Sequence, residues 1–193
     1  MGRFETEPLA LPENRETLAD LNGQWIDRFH DRKGLKYIVL DMDSSVSPNS
    51  WRSGRVCMER AFDCNCYHPN FLFNQFGMLE RCAPRDGNVY SADGWRDVPD
   101  PVIVRYAGRN LGGGFFRADA AYAIPALYER LEEAGYFYAI RMKKNAVLEG
   151  CIAHRLTQPV GRPSKTKVKW FYEDFQYKSL SWDKLRGVIA KIE

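Results

Sequence analysis

Lys36-Tyr-Ile-Val-Leu-Asp-Met-Asp43, running into Ser44, Ser45 and Pro48, is the stretch on which the fold turns. A short β-branched apolar run that stops abruptly at two acids reads as a buried strand with carboxylates at its C-terminal end. Period two puts Asp41 and Asp43 on one face of that strand. Phe115-Phe-Arg-Ala-Asp119 repeats the pattern, a second short strand closed by an acid. Open α/β sheets collect their functional groups at strand ends, so the two acids converge if the strands are neighbours. Converging carboxylates repel unless a proton or a hard cation lies between them, and Mg²⁺ takes one or two carboxylates plus water and phosphate oxygens. The pattern therefore points to metal-dependent phosphoryl transfer, with turn-capping acids as the plainer alternative.

Outward from this pair, Leu18, Leu21, Trp25 and Phe29 recur at helical spacing, predicting an amphipathic helix over 14–32 closed by Gly34. Phe71 to Gln75 and Met78 to Ala83 flank Phe76-Gly77 as a hairpin, and Asp86-Gly87-Asn88 makes the next turn. Ser91 is a plausible cap for a helix reaching Tyr106, although Pro99 and Pro101 fall inside it. Pro125 opens and Gly135 closes a further helix, followed by a strand over Tyr136 to Arg141. Val168 to Tyr177 and Arg186 to Ile192 read as two more strands, with Pro159-Val-Gly-Arg-Pro163 as a rigid basic loop before them. Helix and strand interleave, which predicts a mixed α/β layer rather than a sandwich or a bundle.

The 193 residues are 45% apolar and 27% charged, proportions that argue against disorder, collagen or coiled coil. Apolar runs such as Tyr37 to Leu40 are too short for a membrane span, and no membrane partner is expected. Met1 to Pro12 has no signal-peptide core, so a cytoplasmic location is the expectation; Met1-Gly2-Arg3-Phe4-Glu5-Thr6 fits only a loose myristoylation pattern. Five cysteines, an odd number, suit thiols in a reducing compartment. Cys64-x-Cys66-x-His68 with Cys82 lacks a second ligand pair at zinc spacing and is read as packing. Charge is uneven: residues 141–193 hold 12 Lys/Arg against 5 Asp/Glu, while residues 1–140 hold 16 against 20. Such asymmetry suits an acidic site in the body and a polyanion-facing tail, or simply a solvated basic face.

Tyr37-Ile-Val-Leu-Asp-Met-Asp-Ser-Ser-Val-Ser-Pro48, Cys64-Asn-Cys-Tyr-His-Pro69, Phe73-Asn-Gln-Phe-Gly77, Leu79-Glu-Arg-Cys82, Gly87-Asn-Val89 with Ser91-Ala-Asp-Gly-Trp-Arg96, and Phe116-Arg-Ala-Asp-Ala-Ala121 together resemble bacterial insertion-sequence transposases of the DDE group 1 domain. That resemblance implies an α/β, ribonuclease-H-like mixed sheet with flanking helices, here incomplete, over residues 35–193, preceded by a helical segment over 1–34. It implies Asp43 and Asp119 as the first two metal-binding catalytic acids, with Asp41 as the alternative for the first. The implied cofactor is Mg²⁺, with Mn²⁺ as substitute, in a pair of ions roughly 3.5–4 Å apart. The implied partner is double-stranded DNA with terminal inverted repeats, acted on by a homodimer in the intact family protein and close to the nucleoid. Arg141, Lys143, Lys144, Arg162, Lys165, Lys167 and Lys169 become candidate phosphate contacts.

Two departures qualify the resemblance. No position after Arg141 reproduces the family's third acid, a glutamate on a Tyr/Arg-rich helix; Glu149, Glu173 and Glu193 stand in other contexts. The chain thus reads as a truncated piece from the middle of a transposase, inactive alone, or as a non-catalytic DNA-binding remnant of a decayed element. Asn49 to Phe62 resembles nothing in the family, although its length matches. Compatible codons read one base later permit Thr-x-Gly-Glu-Ala-Glu-Gly-Ser-Ala-Trp-Asn-Gly-His-Phe, close to the family's glycine-rich segment, which predicts compensating frameshifts around 49–62. A rival enzyme, a haloacid-type phosphatase using Asp41 and Asp43, requires further acidic and lysine motifs that the sequence does not supply.

Overall fold

The structure, a computed structural model, describes residues 7–8, 11–48, 57–59, 64–87, 89–156 and 170–192. Its elements run α1 (Pro12–Lys33), β1 (Ile38–Ser44), β2 (Ser47–Pro48), β3 (Cys57–Glu59), β4 (Cys64–Tyr67), β5 (Asn70–Asn74), β6 (Leu79–Ala83), α2 (Pro99–Ala107), β7 (Gly114–Ala118), α3 (Pro125–Glu133), β8 (Tyr136–Ile140), α4 (Ala146–Cys151), β9 (Phe171–Tyr177) and β10 (Arg186–Ile192). The chain divides into two compact units, residues 1–141 and 142–193.

In the first unit a five-stranded mixed sheet has the order β6-β5-β1-β7-β8. The hairpin half, β6-β5-β1, is antiparallel, and β1, β7 and β8 run parallel. Alternation in β1 is strict: Ile38, Leu40 and Met42 are buried, while Val39, Asp41 and Asp43 point the other way. The buried set meets Leu72, Phe116, Val102, Ile103, Tyr106, Leu127 and Leu131, so α2 and α3 lie on this face of the sheet. Phe115, Arg117, Phe137 and Ala139 point to the opposite face and are exposed. A separate three-stranded sheet has the order β2-β4-β3.

The helix expected from Ser91 to Tyr106 is corrected. Residues 91–94 are turns, Trp95–Asp97 is a single 3₁₀ turn, and the α-helix begins only at Pro99. Proline has no N–H to give and its ring clashes with the preceding turn, so it is accommodated where the first-turn donors need no partner. The apolar spacing survives the break, and Trp95, Val98, Val102, Ile103 and Tyr106 are all buried.

Helix α1 is anchored to β6 by charge. Arg81, with a side chain only 5% exposed, pairs with Glu16 and Asp20 of α1 and donates from Nε to the Asp97 carbonyl at 2.8 Å. Deeper in, Glu80 is fully buried and accepts from Arg105, from Asn74 Nδ2 at 2.7 Å and from Tyr106 Oη at 2.8 Å. Gly23 makes this approach possible, since a Cβ there would lie 1.7 Å from Arg105 Nη1.

The second unit contains α4, capped by Asn145 Oδ1 accepting from the Leu148 N–H at 2.9 Å, and the antiparallel pair β9–β10. Lys191 Nζ sits 3.7 Å from the Trp170 ring centroid, and Trp182 packs edge-on against Tyr177. Of the second expected region, residues 168–169 lie outside the described residues.

Candidate functional site

Parallel pairing of β1 with β7 sets Asp41 opposite Arg117 and Met42 opposite Ala118. One residue further, Asp43 and Asp119 stand side by side at the C-terminal ends of adjacent strands. Both carboxyl-bearing residues are exposed. Asp43 Oδ1 accepts from the Ser44 N–H at 2.8 Å, and Asp119 Oδ1 accepts from the Ala121 N–H at 2.9 Å. Each therefore keeps oxygen lone pairs for another partner. Asp41 lies on the same face but is paired with Arg117.

Beneath the acids is Tyr122, fully buried at the end of the 3₁₀ turn Ala120–Tyr122 that Asp119 caps. Its hydroxyl donates to Asn70 Oδ1 at 2.6 Å. Burial pushes this phenol up to about 12; the nearby Ser44 side chain and the Arg85 charge pull it down, and Asp119 and Asp43 push it up. Both acids thus act electrostatically on one buried hydroxyl. Tyr90 Oη donates to the Ala121 carbonyl at 2.9 Å and holds the same turn from outside. Arg85 fixes the loop that carries Tyr90, with Nη1 donating to the carbonyls of Tyr90, Ser91 and Asp93 at 2.8 to 3.0 Å.

Hard oxygen donors exposed at adjacent strand ends are the chemistry that a divalent cation such as Mg²⁺ takes. Two carboxylates make a partial ligand set, and among the described residues no three His, Cys, Asp or Glu side chains gather as a metal group. Glu80, the carboxylate buried in the core, is saturated by Arg105, Asn74 and Tyr106 and has no free oxygen for that purpose. Glu149 pairs with Lys144, and Glu173 with Arg155 and His154. Glu193 lies outside the described residues.

The candidate phosphate contacts are only partly described. Arg141 follows β8, and its N–H donates to the Ala118 carbonyl at 3.1 Å, so it stands one strand beyond Asp119 at the same sheet end. Lys143 and Lys144 are exposed in the second unit. Arg162, Lys165, Lys167 and Lys169 lie outside the described residues. Cys66 is buried in β4 and Cys82 is half-buried in β6. Tyr122, Ser44 and Asn70 were not visible as a group from sequence. The one hint is that Tyr122 follows Asp119 by three residues, the span of a single tight turn.

Comparison with known proteins adds two findings. Residues 1–193 match the sequence profile of the family described as Transposase DDE domain group 1. Among solved structures, the chain is similar to the piggyBac transposase in a synaptic complex with hairpin DNA, at 14% identity and a TM-score of 0.44. That match covers 78% of this chain and 32% of the transposase, so the chain corresponds to about a third of that protein's length. No curated protein matches. Among the described residues no helix is long and apolar enough to cross a membrane.

Proposed function

We propose, on the premise that this chain belongs to the transposase DDE domain group 1 family, that its first unit carries two of the acids of a metal-dependent DNA cleavage and strand-transfer site. The observation that supports this reading is the register of β1 and β7, whose last pair, Met42 with Ala118, immediately precedes the exposed Asp43 and Asp119. In this reading Asp43 and Asp119 are the catalytic acids, and the sheet is the core of a ribonuclease-H-like domain of an insertion-sequence transposase.

Two Mg²⁺ ions, or Mn²⁺ in their place, would when bound activate water and then a DNA 3′-hydroxyl for in-line attack and neutralise the leaving oxygen. Asp43 and Asp119 hold the cation side of the site. Arg117 occupies Asp41, so this third nearby carboxylate adds little unbalanced negative charge where a DNA phosphate must approach. Arg141, Lys143, Lys144, Arg162, Lys165, Lys167 and Lys169 supply phosphate contacts that fix the duplex without reading its bases. The DNA carries terminal inverted repeats, and the intact protein works as a homodimer near the nucleoid.

These 193 residues alone neither cleave nor join DNA, because the family's glutamate has no counterpart in its expected setting. The test is incubation of the purified chain with labelled duplex in Mg²⁺ or Mn²⁺, alongside fluorescence anisotropy for binding. Salt-sensitive binding without cleavage is expected. Strand transfer by the chain alone would overturn the inactive reading, and failure to bind duplex even at low salt would overturn the DNA-facing one. Failure to bind Mn²⁺ would overturn the metal-dependent enzyme reading, and duplex binding without it would leave the DNA-binding remnant.

A further inference from the structure

We propose that Tyr122 is a positioning residue whose hydroxyl sets the separation of the Asp43 and Asp119 carboxylates, a role that rests on the metal-site reading above. The paired strands alone leave that separation loose. The last β1–β7 pair is Met42 with Ala118, so this ladder stops short of both acids; Asp43 is held instead by its pairing with Phe71 of β5, and Asp119 lies beyond the end of β7. Something else has to tie the two ends together.

Two chain segments meet at the Tyr122 hydroxyl. Asn70 of β5, which faces Ser44, the residue after Asp43, across the β1–β5 pair, accepts its proton at 2.6 Å. The other segment is Tyr122's own turn, in which Asp119 Oδ1 accepts from Ala121 and the Tyr122 N–H donates to the Asp119 carbonyl at 3.3 Å. The hydroxyl therefore connects the strand that pairs with Asp43 to the turn begun by Asp119. Asn70 is fully buried and its Nδ2 has no partner among the described residues, so its interaction with Tyr122 is what fixes the orientation of its amide.

Removing only the hydroxyl separates this role from core filling. In Tyr122→Phe the ring stays within the core cluster that includes Met42 and Phe116, but Asn70 Oδ1 loses its donor. Asn70→Leu breaks the same connection from the other side by removing the acceptor.

The experiment is a Mn²⁺ titration of the full 193-residue chain, read from the electron paramagnetic resonance signal of free Mn²⁺, with thermal unfolding of the metal-free protein in parallel. Wild type is expected to bind Mn²⁺ and Asp119→Asn to lose it. Tyr122→Phe is expected to weaken binding about ten-fold or more, the scale of other outer contacts that orient metal ligands, with Asn70→Leu moving the same way. Tyr90→Phe is the control, since it removes the other hydroxyl holding this turn but touches neither Ser44 nor Asn70; its affinity is expected to stay near wild type. Asp119-dependent binding left unchanged in Tyr122→Phe or, should that variant not fold, in Asn70→Leu, overturns the positioning role alone. So does an affinity loss in Tyr90→Phe that matches that of Tyr122→Phe, which would reduce both to support of the turn. A wild-type chain with no Asp119-dependent binding overturns the metal reading and this role with it.

Discussion

Asp41 and Arg117 face each other across the parallel strands β1 and β7 and form an ion pair on the exposed face of the sheet, one step short of the strand ends where Asp43 and Asp119 emerge. That relationship separates the two candidates for the first acid. Asp41 already has a cation, whereas Asp43 among the described residues has only a neighbouring amide. Asp41→Asn is expected to leave Mn²⁺ affinity nearly unchanged, and Asp43→Asn to lower it at least about ten-fold. Equal losses in a Mn²⁺ titration would return Asp41 to the ligand set.

The Glu80–Arg105 pair makes the opposite prediction, a large effect on stability with no part in the chemistry. Glu80 has a side chain with no exposure, and Arg105 is the cation that compensates it. Arg105→Ala is expected to cost about 3–5 kcal/mol, the range for leaving a buried charge uncompensated. Gly23→Ala acts through the same contact by displacing the guanidinium, which outweighs the gain of roughly 1 kcal/mol from alanine in a helix. Urea unfolding measures both, and a Gly23→Ala chain more stable than wild type would refute the contact.

His30 gives the fold a pH dependence of definite sign. It is buried, and because the Tyr106 hydroxyl spends its proton on Glu80, the 3.3 Å contact to His30 Nδ1 needs the ring to donate there. Nε2 is left as a buried acceptor without a partner among the described residues. Burial lowers the pKa of this imidazole from 6.5; Glu80 and Asp27 oppose the shift, and Arg109 and Arg105 support it. Below about pH 6.5 the unfolded chain takes up a proton that the folded chain refuses, so stability falls as pH drops through that value toward the folded pKa. His30→Gln is expected to flatten the slope of unfolding free energy between pH 7 and 5.5. A slope unchanged in the variant would assign it to other groups.

Basic residues of the second region are expected to act as phosphate contacts, so their removal should weaken binding alike on all duplex sequences. Replacing Lys165 and Lys167 together with alanine should reduce the slope of log affinity against log salt by about two. Sequence-selective loss would instead mean that they touch bases.

Residues 49–62 make a prediction about the gene. The nucleotide sequence of the locus is expected to open the glycine-rich family frame from the second base of codon 49 and to close it near codon 62. Codons that forbid Trp, Asn, Gly, His and Phe in that frame would dismiss the frameshift.

Much of the sheet was legible because its signals are local. The hairpin at Phe76-Gly77 and the two acid-ended strands are written in consecutive residues, and β5, β6, β1 and β7 follow them. Pro99 misled only on where the helix begins, since the apolar spacing stays in phase across the break. Glu80 read as an ordinary hairpin residue because its partners, Arg105 and Tyr106, come from another element. Tyr122 was hidden for the same reason: residues 44, 70 and 122 meet only after the sheet has assembled.

Order in time follows from the register of β1 and β7. Only residues 75–78 separate β5 from β6, whereas residues 45–113 separate the two strands that end in acids. Closing the longer segment costs roughly 2.5 kcal/mol more in chain entropy. The hairpin can thus nucleate by itself, and the acid pair arises late, once a long excursion has returned. Residues 49–62 lie within that excursion. Damage there delays or prevents the return of the chain, and so can extinguish the site while leaving both aspartates, and the hairpin, untouched.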